Sequence, residues 1–158
     1  MNVLKEKTLI ISVATGILGI LYFIYAGIML YNWIAGTFIQ EAESVNNVLG
    51  LFVPSDPGCA VALITIGMLL LGSLYYGLNN VKGVSCIFLG SLLGTAMLII
   101  QFLVVLANMA SIEVSFLSGE IVEYTVVEDV LRPEITLGIG SIMVLFFSAL
   151  KIRQITGK

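Results

Sequence analysis

Long runs of apolar residues alternate with short polar segments along this chain. The runs cover residues 8–36, 58–78, 84–110 and 135–152, and none contains Asp, Glu, Lys or Arg before Lys151. A helix needs roughly 20 residues to cross a hydrocarbon core about 30 Å thick. The pattern therefore predicts an all-α membrane protein, a four-transmembrane-helix bundle. We expect a single integral membrane domain, residues 1–158, with outer loops at 37–57 and 111–134.

The charged residues are distributed unevenly between the two sides of such a bundle. Arg132 lies on the side of the two long loops, whereas the other six basic residues lie on the side of the termini: Lys5, Lys7, Lys82, Lys151, Arg153 and Lys158. Short cytoplasmic segments of membrane proteins are enriched in Lys and Arg. We therefore expect a multi-pass protein of the cell (plasma) membrane with both termini in the cytoplasm.

The first outer loop has apolar residues at spacings of three and four. This spacing is typical of one face of a helix, and it predicts a short amphipathic helix on the membrane surface or continuing the first span. The residues are Phe38, Ala42, Val45, Leu49 and Phe52. Asp56 and Pro57 then provide a helix N-cap and a first-turn residue for the second span.

The second outer loop, residues 111–134, alternates apolar and polar residues. IEVSF (112–116) and IVEYTVV (121–127) flank a turn that contains Gly119, a pattern typical of a β-hairpin. The loop also carries most of the acidic residues. Either they form a solvated face or they dock a partner, and the candidate docking residues are Glu113, Glu120, Glu123, Glu128 and Asp129.

One face of the third span combines small and polar residues. At 100° per residue, five side chains fall on one stripe: Gly90, Gly94, Met97, Gln101 and Asn108. Small residues allow another helix to approach closely, and an amide inside the bilayer should face protein or water rather than lipid. The stripe predicts a helix-packing seam, with a ligand contact or a polar path as the functional alternative.

The composition argues against several kinds of chemistry. The chain has no His and only two Cys, which removes the common ligands of haem, iron–sulfur clusters and transition metals. It contains no nucleotide-binding or zinc-protease motif, and no basic patch suited to nucleic acid. We predict no catalytic, cofactor-binding or metal-binding residues and a protein that is not an enzyme. The predicted spans also lack the buried charge that coupled carriers usually contain.

Two functions fit these observations. The first is a non-catalytic integral membrane subunit or scaffold of a larger membrane complex, which docks through its apolar helix faces and its acidic outer loop. The second is a small oligomeric transporter or channel component with a polar seam at Gln101 and Asn108. The expected partners are membrane lipids and other integral membrane subunits or a second copy of the chain.

Overall fold

Four long helices form the protein, as the hydrophobic runs predict. The computed structural model describes residues 2–39, 45–117 and 126–156. The long helices are α1 (Asn2–Phe38), α2 (Pro57–Tyr76), α3 (Val81–Leu117) and α5 (Pro133–Thr156). Each contains a segment long and apolar enough to cross a membrane. The chain is therefore a multi-pass integral membrane protein, and the predicted four-helix architecture is confirmed.

The helices pack as a square, each against two neighbours. α1 contacts α2 and α5, and α3 contacts the same two helices. Gly16 of α1 lies beside Leu74, and Gly67 of α2 lies beside Phe23, so these two helices run antiparallel. We call the end that carries both termini the terminal end, and the opposite end, where α1 ends and α2 begins, the loop end.

Glycines set the close approach between helices. A Cβ atom placed on Gly90 would lie 3.0 Å from Leu69 Cβ on α2, and one on Gly138 would lie 2.5 Å from Leu98 Cβ on α3. Such distances are shorter than ordinary van der Waals contact, so only glycine allows these helices to pack so tightly. The two positions hold α3 between α2 and α5.

The first loop contains a β-hairpin rather than the predicted amphipathic helix. β1 (Asn47–Val48) pairs antiparallel with β2 (Leu51–Phe52). Leu49 and Gly50 between them have φ angles of 54° and 79°, which is the backbone of a two-residue hairpin turn. The prediction is wrong at Val45, Leu49 and Phe52 because the helical spacing is also compatible with a short hairpin. Phe38 ends α1, and Ala42 lies outside the described residues.

A side chain of α1 holds this hairpin against the bundle. Asn32 Nδ2 donates to the carbonyls of Val45 (2.9 Å) and Val53 (3.2 Å), and Asn32 Oδ1 accepts from Val45 N–H (2.9 Å). Tyr25 Oη donates to Val48 O at 3.3 Å, about two helical turns nearer the terminal end. The hairpin thus runs along α1 from Asn32 towards the middle of the helix.

The second loop also differs from the prediction. Residues 112–116, predicted as a strand, form the last part of α3, and Val126 and Val127 begin the short helix α4 (Val126–Val130). Residues 121–125 of the other predicted strand lie outside the described residues. Helix propagation prevails over the alternation, since neither Gly nor Pro interrupts the chain between Ala110 and Leu117 and each added residue gains a backbone hydrogen bond.

Candidate functional site

Two buried polar side chains lie at the same level of the bundle, on facing helices. Gly138 of α5 packs against Leu98 of α3. Because the two helices are antiparallel, Glu134, one turn before Gly138, lies level with Gln101, one turn after Leu98. Cys59, in the first turn of α2, interacts with the Glu134 carboxyl. We call Cys59, Gln101 and Glu134 the polar layer.

Glu134 is the most unusual member of the polar layer. Its side chain is only 1% exposed, and neither Oε1 nor Oε2 accepts a hydrogen bond of ordinary geometry from the part of the chain that the structure describes. The Cys59 thiol, Arg132 and Asp56 are near enough to act on it electrostatically. A buried carboxylate without a partner is costly, so this group needs a cation, a proton or a hydrogen-bond donor.

Gln101 presents a second unsatisfied group. Its side chain is 6% exposed, and Nε2 has no hydrogen-bond partner among the described residues. Amide nitrogen and oxygen can exchange places by rotation of the side chain. Since Nε2 makes no hydrogen bond, that rotation breaks no hydrogen bond of the nitrogen.

A polar chain fastens α4 over the polar layer. Asn108 Nδ2 donates to Asp129 Oδ2 at 2.7 Å, and Asp129 Oδ1 pairs with Arg132 Nη2 at 2.7 Å. Phe52 N–H donates to Leu131 O at 2.9 Å, which ties the same segment to the hairpin of the first loop. Arg132 Nε has no partner among the described residues.

Asp56 stands at the rim of the polar layer as the N-cap of α2. Its Oδ1 accepts from Cys59 N–H at 3.0 Å, and this backbone N–H is the main cause that holds the pKa of Asp56 below its usual value. Asp56, Asp129 and Glu134 bring three carboxyl groups to this region, whereas Arg132 is the one basic side chain there within the described ranges. The region therefore has an excess of acidic groups.

The centre of the bundle is tightly closed. Tyr22 Oη and Ser141 Oγ share a hydrogen bond of 2.8 Å, and both side chains are fully buried. Gly94 provides the space for them: a Cβ there would lie 2.6 Å from Tyr22 Oη, 2.8 Å from Ser141 Cβ and in contact with Ser141 Oγ. This packing confines the polar layer to the loop-end half of the bundle.

The five residues of the predicted seam face different neighbours. Gly90 contacts α2, Gly94 contacts α5 and α1, and Met97 is half-buried against the core. Gln101 lies in the polar layer, and Asn108 bonds to Asp129.

The predicted docking acids are also divided. Glu113 is exposed on α3, Glu120 and Glu123 lie outside the described residues, and Glu128 belongs to α4. Asp129 is buried and bonded within the chain, so its carboxylate is not available to a partner.

Glu134 is buried although no pattern in the sequence predicted it. The apolar run starts at residue 135, after Pro133 and Glu134, which were predicted to open the fourth span, and the span-length segment is Pro133–Arg153. The predicted run 135–152 has no charged residue before Lys151, and the helix adds Glu134 at its start. The Pro-Glu pair marks a helix start, but no sequence signal showed that the side chain turns inward. Asn32 was not predicted for the same reason: no local pattern shows that its side chain turns inward.

The comparison with known families gives a single result. Residues 5–152 match the family model described as the MJ0565 integral membrane domain. No curated protein and no solved structure matches the chain. Because the match covers nearly the whole sequence, the chain belongs to this family.

Proposed function

We propose that this member of the MJ0565 integral membrane domain family is a non-catalytic membrane subunit or scaffold of a larger membrane complex. The observation that carries the proposal is the length of α3 and the apolar surface at its end. The 37 residues of α3 make a helix about 55 Å long, whereas the hydrocarbon core is about 30 Å thick.

Tilting does not accommodate this helix. Fitting about 55 Å into about 30 Å needs a tilt of about 57°, beyond the roughly 40° limit seen for membrane helices. Because Gly90 lies beside Leu70, the first residue of α2 is level with about residue 103 of α3. The last 14 residues of α3 therefore project about 20 Å past the start of α2.

The projecting segment is mainly apolar, and the described residues leave most of it uncovered. One narrow stripe, which includes Asn108, faces α4 and the bundle. The other large apolar side chains remain exposed, and two are almost completely so, at 80% for Phe116 and 86% for Leu117. Exposed apolar patches of this kind mark interaction surfaces. The exposed residues are Val104, Leu106, Met109, Val114, Phe116 and Leu117.

The position of this surface indicates the kind of partner. The apolar face of α3 continues from the membrane into the projecting segment without a break, so a partner that covers it must also span the membrane and rise above it. The positive-inside rule assigns the loop end to the outside, and the acidic residues there, with Glu113 exposed on α3, favour a partner with basic residues at that height.

Purification from native membranes in a mild detergent, followed by mass spectrometry, tests this proposal. The variant Val114→Ala/Phe116→Ala should lose bound companions at least tenfold, because burying one large apolar side chain contributes about 1.5–3 kcal/mol and about 1.4 kcal/mol is tenfold in affinity. The matched control is Ile139→Ala/Phe146→Ala on α5, which truncates exposed side chains within the span-length segment. A clean homo-oligomer without companions, or equal retention by both variants, would contradict the proposal.

A second candidate is a transporter or channel component, and the unpartnered Gln101 and Glu134 side chains favour it. In that case Gln101→Leu should abolish flux through reconstituted vesicles while the protein remains folded. Unchanged flux together with a small change in stability would assign Gln101 to packing.

A further inference from the structure

We propose that the polar layer binds a small monovalent inorganic cation, with the Glu134 carboxylate as its charged ligand. The first argument is the state of that carboxylate. It is at least nine-tenths buried, and neither oxygen accepts a hydrogen bond of ordinary geometry among the described residues, although its own backbone N–H and the Cys59 thiol lie close to it. A bound cation satisfies both oxygens at once and offsets the cost of a buried charge.

The neighbouring charged groups indicate that the bound ion carries a positive charge. Asp56, at the rim, adds a negative charge to that of Glu134. Arg132 and Asp129 pair at 2.7 Å and largely offset each other's charge, although Arg132 also acts on Glu134. The region is therefore suited to a cation and unsuited to an anion.

The small number of ligands favours a monovalent cation over a divalent one. Within the described part of the chain, no group of three or more His, Cys, Asp or Glu residues could hold a metal ion. Structural Zn²⁺ takes four N or S ligands, and Ca²⁺ takes about 6–8 oxygens with several carboxylates. One buried carboxylate matches the charge of Na⁺, K⁺ or NH₄⁺.

Gln101 supplies a neutral group at the same level. Its Nε2 has no partner, so a rotation of the amide can turn Oε1 towards the cation without loss of a bond at Nε2. NH₄⁺ could instead donate to Glu134 and Gln101 Oε1. Both arrangements place the cation between α3 and α5, beneath the segment that Asp129 fastens.

Thermal unfolding of the purified full chain in detergent tests this inference. The melting temperature is measured in NaCl, KCl or NH₄Cl against choline chloride at constant ionic strength. At least one small cation should raise Tm over choline by about 5 °C when its concentration is a hundredfold above Kd. The gain should disappear in Glu134→Gln and persist in Glu113→Gln, which changes an exposed carboxylate of α3. No rise with any cation, or an equal rise in Glu134→Gln, would overturn the proposal.

A second measurement on the unmodified chain covers the case in which Glu134→Gln does not fold. Dicyclohexylcarbodiimide reacts with carboxyl groups in apolar surroundings, and mass spectrometry of peptides locates the adduct. We expect labelling of Glu134 in choline chloride and at least fivefold slower labelling in the salt that raises Tm. Equal labelling rates in all four salts would reject the cation site. This result is independent of the companion proteins tested above.

Discussion

Replacing Gly94 by Ala should disturb the most tightly packed point of the bundle. The added Cβ would lie 2.6 Å from Tyr22 Oη and 2.8 Å from Ser141 Cβ, and it would also meet Ser141 Oγ. Ser141 Cβ is attached to the backbone of α5, so it cannot move aside without moving the helix. The substitution therefore pushes α3 away from α5 and separates the hydroxyl groups of Tyr22 and Ser141, which are 2.8 Å apart.

The expected cost follows from these contacts. Overpacking a close-packed interior costs about 1–3 kcal/mol, and an interhelical hydrogen bond in a membrane protein contributes about 0.6 kcal/mol, with a maximum near 1.7. Ala is a better helix former than Gly by about 0.8–1.0 kcal/mol, which offsets part of this. We expect Gly94→Ala to lower the free energy of unfolding by about 1–3 kcal/mol.

Equilibrium unfolding by SDS in mixed micelles, followed by circular dichroism, measures this change. Gly72→Ala is the matched control, because a Cβ at Gly72 has no heavy atom within 4 Å, and it should be neutral or slightly stabilising. The cost of Gly94→Ala should also fall by at least about 0.5 kcal/mol in a Ser141→Gly background, where two of the three obstructing atoms, Ser141 Cβ and Oγ, are absent. If Gly94→Ala is as stable as Gly72→Ala, or if Ser141→Gly gives no relief, the close contact between α3 and α5 is refuted.

Two further predictions concern the loop end. Asn32→Ala removes three hydrogen bonds to Val45 and Val53 and should destabilise the protein by about 2 kcal/mol. Hydrogen exchange at the Val45 amide should become faster than in the control Asn79→Ala, which changes an exposed residue. Equal exchange rates in the two variants would contradict the role of Asn32. The hydrogen bond from Cys59 N–H is the main cause that lowers the pKa of Asp56 in the folded protein. The ionised carboxylate therefore makes its full contribution to stability at pH values above the unfolded pKa of about 3.9. This contribution is lost as the pH falls through the lower pKa of the folded state. The difference in Tm between the unmodified chain and Asp56→Asn should therefore shrink between pH 6 and pH 3, and a difference independent of pH would exclude this linkage.

Local patterns predicted the helices but not the loops. Apolar runs of spanning length determine where membrane helices form, because each backbone group in lipid needs a partner within its own helix. In the loops, the same residues fit more than one local structure. Val45, Leu49 and Phe52 suit one face of a helix, and they also suit the hairpin that Asn32 holds in place. Residues 112–116 alternate like a strand, yet they extend α3.

In the candidate site, too, the sequence predicted one buried polar residue and not the other. Gln101 was predicted from sequence because an amide within an apolar run is conspicuous and costly to expose to lipid. Glu134 was not, because an acidic residue after Pro at a helix start is ordinary at a membrane surface. Its burial depends on tertiary packing, and Cys59 at the start of α2, which lies far from it in sequence, is close to its carboxyl group.

The sequence by itself determined the class of the protein, the number of spans and the small residues through which they pack, since hydrophobicity and helical periodicity are properties of neighbouring residues along one chain. The tertiary structure decided how deeply α3 projects, which side chains lie level with one another, and which polar groups are left without a partner. These depend on the register between antiparallel helices, which contacts such as Gly138 with Leu98 establish and no single helix encodes.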